Sequence, residues 1–149
     1  MDTSRREVVL FIRTTPAELW RAITDPQKTR QYWYGALNHS EWTPGAAWTS
    51  DSEDGSRYLD GQILEIEAPG RLVHTFHVAD GEASAENPST VTWEITPLGD
   101  ACRLALVHEG LGPATLKYVT GGWELILSGL KTLLETGEPL KVGAHSTPQ

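Results

Sequence analysis

Six extended segments in a row, joined by connections too short for anything but hairpins, fix most of what this chain can become. Residues 36–42, 46–51, 57–67, 71–79, 89–97 and 101–109 each read as strands. Turn chemistry separates them: Thr43-Pro44-Gly45, Asp54-Gly55, Ala68-Pro69-Gly70, a longer polar loop over 80–88, and Leu98-Gly99-Asp100. Parallel pairing would need crossovers of about a dozen residues or more, so these strands must form an antiparallel meander. Alternation assigns its faces. Leu72, His74, Phe76 and Val78 share one side; so do Val91, Trp93 and Ile95, and then Cys102, Leu104, Leu106 and His108. Thr92, Glu94, Thr96, Arg103, Ala105 and Glu109 fall on the other. One face is therefore apolar and aromatic with two histidines in it, and the other suits solvent.

The meander has helical neighbours on both sides. Residues 5–13 read as a first strand. Thr15-Pro16-Ala17-Glu18 then supplies a cap, a proline at the first helical position and an acidic residue at the capping-box position. Asp25-Pro26 ends or redirects that helix, and a second short helix over 26–31 leads to Tyr32-Trp33-Tyr34. Three consecutive aromatics cannot all enter one core, so at least one should face a groove. At the far end, Leu116, Val119, Trp123, Ile126, Leu130 and Leu133 recur at steps of three and four, the period of an apolar helix face. Gly137 and Pro139 give it a stop. Gly121 and Gly122 interrupt it at about 1 kcal/mol each relative to alanine, which predicts either a kink or a close approach to the backbone.

Composition narrows the function. A chain of 149 residues forms one domain, expected over 1–137, with 138–149 as a mobile tail lacking periodicity. Domains of this length bury about 70% of the unfolded surface and need no metal or disulfide staple. The single cysteine, Cys102, excludes an intrachain disulfide framework and fits a cytoplasmic location. The apolar run at 8–12 is too brief for a signal segment or membrane span. A formal charge of −8 argues against a nucleic-acid or anionic-membrane surface. The acidic groups at 51–54 and 80–86 read as solvated loops. Six tryptophans are the unusual feature.

In that order along the chain, several pieces resemble one family. They are Thr15-Pro16-Ala17-Glu18-Leu19-Trp20-Arg21-Ala22-Ile23-Thr24-Asp25-Pro26, Tyr32-Trp33, Gly61-Gln62-Ile63-Leu64-Glu65-Ile66 and Pro69-Gly70-Arg71-Leu72-Val73. Leu104-Ala105-Leu106-Val107-His108-Glu109-Gly110 and Gly122-Trp123, with Leu130 and Leu133-Leu134 following, complete the set. The pattern resembles the homologues of the activator of heat-shock-protein-90 ATPase, within the START-like and birch-pollen-allergen-like helix-grip superfamily. The resemblance implies an α+β fold of order β-α-α-β6-α, with a curved antiparallel sheet gripping a long C-terminal helix. It also implies a cavity between helix and sheet, which superfamily relatives use for lipids, hormones or polyketides, and a few for cyclase or hydrolase chemistry. The founding member instead stimulates a chaperone ATPase. Its additional N-terminal domain has no counterpart in these residues, which weighs against that activity.

A ligand cavity would be lined by Trp33, Trp48, His74, Phe76, Trp93, His108, Trp123, Ile126 and Leu130. Rigid rings around a concave sheet are hard to close-pack, and indole N–H groups offer donors. His74 and His108 are the candidates for acid–base work. One intervening strand should hold them about 10 Å apart, and the ordinary expectation is a buried histidine satisfied by a carbonyl or water. Cys102 is expected to be an inert core residue. His74 and His77 lie three apart on a strand and so face opposite sides, so no metal site is expected, and no cofactor motif appears in the sequence. Glu65 and Glu67 read as a solvated pair. The expectation is a binding protein for a small apolar or aromatic molecule, more so than an enzyme. A cyclase or hydrolase and a chaperone-interaction module are the alternatives, and the assembly is expected to be a monomer or homodimer.

Overall fold

The computed structural model describes residues 4–141. The mobile stretch expected at the C-terminus therefore lies mostly outside the described residues. Strand β1 (Ser4–Ile12) is followed by helices α1 (Pro16–Thr24) and α2 (Pro26–Thr29). Six strands come next: β2 (Leu37–Ser40), β3 (Ala47–Asp51), β4 (Arg57–Glu67), β5 (Arg71–Val78), β6 (Ser89–Leu98) and β7 (Ala101–Leu111). A 3₁₀ turn (Glu82–Ala85) sits between β5 and β6. Helices α3 (Pro113–Val119) and α4 (Gly122–Thr136) close the domain. Every strand contact is antiparallel, in the order β1-β7-β6-β5-β4-β3-β2. The fold is the helix-grip α+β arrangement. Among the described residues, no helix is long and apolar enough to cross a membrane.

Local chemistry explains the punctuation. Thr15 caps α1 by accepting from the Glu18 amide at 3.2 Å, and Asp25 does the same for α2 from Gln27 at 2.9 Å. Gly137 takes the left-handed conformation at φ 82°, and its amide closes α4 on the Leu133 carbonyl at 2.8 Å. The interrupted helix resolves as a kink. Gly121 stands at φ 81° between α3 and α4, a conformation that glycine adopts without steric penalty. Gly122 is not a close-approach site, because a Cβ there would meet only the Tyr34 hydroxyl at 3.6 Å. The close approach lies at Gly129, where a Cβ would come within 3.2 Å of the Tyr32 Cβ. The C-terminal half of α4 is tied to the end of β1 and to the residue after it. Lys131 Nζ donates to the Phe11 carbonyl at 2.6 Å, and the Arg13 amide donates to Glu135 at 2.8 Å.

The alternation assigned from sequence places the core. Leu72, Phe76, Val78, Val91, Trp93, Ile95, Cys102, Leu104 and Leu106 are buried on the sheet's inner face, against Trp123, Ile126, Leu127 and Leu130 of α4. Cys102 is fully buried, and its thiol pKa is raised by burial. Glu65 reaches Arg71 at 3.1 Å on the outer surface, beside a register shift between Ile63 and Glu65.

Candidate ligand-binding site

The inner face carries one continuous cluster of rings. Trp48 meets His74 at 4.6 Å between centroids, and His74 meets Trp93 at 6.5 Å. Trp93 contacts Trp33 and Trp123 at 6.2 and 5.8 Å, and Phe76 contacts His108 at 4.5 Å. Val91 pairs with both His74 and His108, so the two histidines occupy one row with β6 between them.

Hydrogen bonding fixes both imidazoles. His74 Nδ1 lies 2.8 Å from the Thr75 carbonyl, which can only accept, so Nδ1 carries the proton. Its Nε2 accepts from the Trp93 indole N–H at 3.0 Å. His108 is the opposite tautomer. Its Nδ1 accepts from the Trp123 indole at 3.0 Å, and Nε2–H donates to Ser89 Oγ at 2.7 Å. The Ser89 hydroxyl then donates to the Phe76 carbonyl at 3.3 Å. Protonating either ring would set an N–H against an indole N–H in a buried core. Burial accordingly lowers His74 to about 4, and burial together with the neighbouring His74 lowers His108 to about 3.

Beside this cluster lies an open pocket of about 660 Å³, between the α3–α4 elbow, the start of β4 and the segment after β5. Trp33, Leu59, Phe76, Val119, Trp123 and Ile126 give it apolar walls. Tyr34, Tyr58 and Tyr118 stand at its exposed edge with Asp80, Glu82 and Lys117. Tyr34 holds φ 51°, a left-handed backbone that few non-glycine residues adopt, and Gly35 follows at 78°. That turn separates the Tyr32-Trp33-Tyr34 run. Tyr32 and Trp33 are buried, the Tyr32 hydroxyl donating to the Ala22 carbonyl at 2.8 Å, while Tyr34 reaches the pocket edge. Burial, then Glu124, raises the Tyr34 pKa; burial, then Tyr58 and Tyr34, raises that of Tyr118.

The segment over 79–88 is held at two points. His77, on the outer face as its spacing from His74 requires, bridges Asp60 at 3.1 Å and the Ser84 carbonyl at 3.0 Å. Its pKa is raised, first by the Ser84 carbonyl and then, against burial, by Asp60. Glu86 receives the Ala114 amide at 2.9 Å, the Thr115 amide at 2.8 Å and the Thr115 hydroxyl at 2.7 Å. Those bonds, the Ala114 amide foremost, lower its pKa. Gly112 makes room for this carboxylate, which would overlap a Cβ at that position. One glutamate thus joins the segment bearing Asp80 and Glu82 to the helix bearing Lys117 and Tyr118.

Of the residues expected from sequence, Trp33, Phe76, Trp123 and Ile126 line the pocket. Trp48, His74, Trp93, His108 and Leu130 are buried without lining it. The tyrosines at the edge had no periodic signal to mark them. The nearest sequence clue was the argument that three adjacent aromatics must send one outward, which Tyr34 does.

The chain matches the family described as Activator of Hsp90 ATPase homolog 1-like protein over residues 13–135. It belongs to that family. Among solved structures, the domain is similar to CalU16 from Micromonospora echinospora, with TM-score 0.73, 21% identity, and coverage of 91% of this chain and 78% of that one. It is similar to PFC0360w, an HSP90 activator from Plasmodium falciparum, with TM-score 0.74, 22% identity, and coverage of 92% and 99%. The Aha1 dimer from Colwellia psychrerythraea gives TM-score 0.69, 14% identity, and coverage of 90% and 98%. At these identities the likeness concerns the fold. No curated protein matches the sequence.

Proposed function

We propose that this family member binds a small, largely apolar molecule in the pocket beneath the α3–α4 elbow. The observation that carries this reading is the pocket itself. Its volume of about 660 Å³ and its walls of tryptophan, phenylalanine and aliphatic side chains, with polar groups gathered at one edge, are what a small-molecule site requires. The histidines favour binding over acid–base catalysis, since each has both ring nitrogens engaged and neither borders the pocket. The test is native mass spectrometry of the purified protein together with a thermal-shift screen of aromatic and aliphatic compounds. A co-purifying mass, or a concentration-dependent rise in Tm, supports the reading. A bare chain that no compound stabilises counts against it.

A second reading is contact with a chaperone. It is favoured by one relative of the same extent, whose match covers 99% of its chain and which is an HSP90 activator. Adding the purified protein to a cognate chaperone should then raise its ATPase rate, and an unchanged rate removes this reading. A homodimer is the assembly to look for, by light scattering, because the Colwellia relative is a dimer.

A further inference from the structure

Among the described residues, two sealed side-chain atoms have no hydrogen-bond partner, Asn38 Oδ1 and Ser50 Oγ. The two belong together. Asn38 on β2 and Ser50 on β3 stand directly opposite each other in the antiparallel pair, and they are 3% and 0% exposed. Opposed residues hold their Cβ atoms about 4.5–5.5 Å apart on one face of a sheet, so both orphaned atoms share one small volume. The neighbours on this face do not serve them. Ala36 and Leu59 are apolar and buried, and the Trp48 indole is spent on the Thr75 carbonyl at 2.7 Å. The buried Thr29 hydroxyl is committed as well. It donates to the carbonyls of Ala36 at 3.0 Å and Pro26 at 3.2 Å, and accepts the Asn38 amide at 3.0 Å. Buried polar groups are normally satisfied by protein or by ordered water, and an exception calls for a physical reason.

We infer that Asn38 and Ser50 form a binding site for a single internal water molecule, which joins β3 to the polar hub at Thr29. The chemistry of the pair selects this ligand. An amide oxygen only accepts, so the occupant must donate a hydrogen, whereas a hydroxyl takes either role. Two bonds of about 2.8 Å meeting at a tetrahedral oxygen span about 4.5 Å, close to the spacing of opposed side chains. A buried water needs about two to four polar partners, and the pair supplies the minimum. A metal ion would want about six to eight oxygens, and any cation here would be sealed among uncharged side chains. The site is separate from the pocket, which neither residue lines, and does not depend on the binding reading. Its role is mechanical. Strand β2 has four residues and stands at the edge of the sheet, with β3 as its one strand neighbour. The Thr29 hydroxyl already ties Asn38 to α2, and the water carries that connection on to Ser50.

The test is a high-resolution crystal structure of the unaltered protein, joined to thermal melts and amide exchange of Ser50→Ala. The electron density should show one ordered water within hydrogen-bond distance of both Asn38 Oδ1 and Ser50 Oγ. The variant removes a hydroxyl that makes no bond to any described residue, so the sign of its effect separates a hydrated site from a dry one. A hydrated site loses a bond, and Tm should fall by about 2–4 °C, with faster exchange at the β2 amides. A dry site sheds an unpaired hydroxyl, and Tm should rise. If the variant does not fold, the density of the unaltered protein decides by itself. A dry site, a direct bond between Asn38 and Ser50, or a density ringed by oxygens as a cation demands overturns the inference. So does a Tm for Ser50→Ala that is unchanged or raised. None of these outcomes bears on the pocket under the elbow.

Discussion

Acid should destabilise this protein earlier than a carboxylate-driven transition would, because two imidazoles are locked neutral in the core. Their folded values are lowered to about 4 for His74 and about 3 for His108, against about 6.5 in an unfolded chain. Between those limits the unfolded state takes up two protons that the folded state refuses. The stability is therefore complete above the unfolded value and declines as pH falls towards the folded ones. Each histidine contributes a slope approaching 1.36 kcal/mol per pH unit, so the pair should give about 2–3 kcal/mol per unit near pH 5.5. By pH 4.5 the accumulated loss is about 5 kcal/mol, comparable with the whole stability of a small domain.

Other groups modify the window without reversing it. His77 has the opposite sign: its raised pKa gives stability that is present in acid and lost as pH rises through the folded value. Glu86 and Glu135 have lowered values, so their contribution is lost only lower, as pH falls through the carboxylate range. Urea unfolding followed by tryptophan fluorescence, at half-unit steps from pH 5 to 7.5, measures the slope directly. His108→Gln keeps one acceptor and one donor but cannot be protonated, and should reduce the slope by about half. A flat profile between pH 5 and 6.5, or an unchanged slope in the variant, would refute the assignment of neutral tautomers.

Further outcomes follow from the packing. Gly61→Ala should destabilise by about 3 kcal/mol, or roughly 6–12 °C in Tm for this size. Its Cβ would occupy the path of the bond from Trp48 Nε1 to the Thr75 carbonyl, and a loss under 1 °C would contradict that path. The adjacent glycines of the elbow should behave oppositely in thermal melts. Gly121→Ala, at φ 81°, should lose about 1–2 kcal/mol, whereas Gly122→Ala should be neutral or gain up to about 1 kcal/mol. Equal effects would mean that the kink does not reside at Gly121. Glu86→Ala should speed amide exchange at Ala114 and Thr115 without altering the core of β6 and β7; unchanged exchange would show that the carboxylate does not hold α3.

Short-range chemistry made the fold legible. The turns between residues 43 and 100 left hairpins as the only connection, and alternation then put His74, Trp93 and His108 on the inner face. The elbow was half legible: the glycine pair signalled an interruption, but only the backbone distinguishes Gly121, which bends, from Gly122, which merely continues. The pocket was less legible because it forms where unrelated segments meet. Trp33, Phe76, Trp123 and Ile126 share apolar character that periodicity can register. Tyr34 depends on a positive φ, Tyr58 on the start of an exposed strand, and Tyr118 on the direction α3 takes after Gly112. The separation of His74 and His108 from the pocket lining was beyond alternation, which sorts residues by face and not by which part of a face is covered. What covers that part is the set of indole–imidazole bonds, whose partners are distant in sequence.

The six indole N–H groups allow the central claim to be read residue by residue. The decisive measurement is a ¹H–¹⁵N correlation spectrum of the indole region, with resonances assigned by substitution, during titration with 2-ethylnaphthalene as an apolar aromatic probe. Occupation of the pocket under the elbow predicts that Trp33 and Trp123, which line it, shift, while Trp48, bonded to the Thr75 carbonyl, and the outlying Trp20 and Trp42 stay in place. Saturating shifts confined to Trp20 or Trp42, or no shift at either Trp33 or Trp123 at any concentration, would contradict the account.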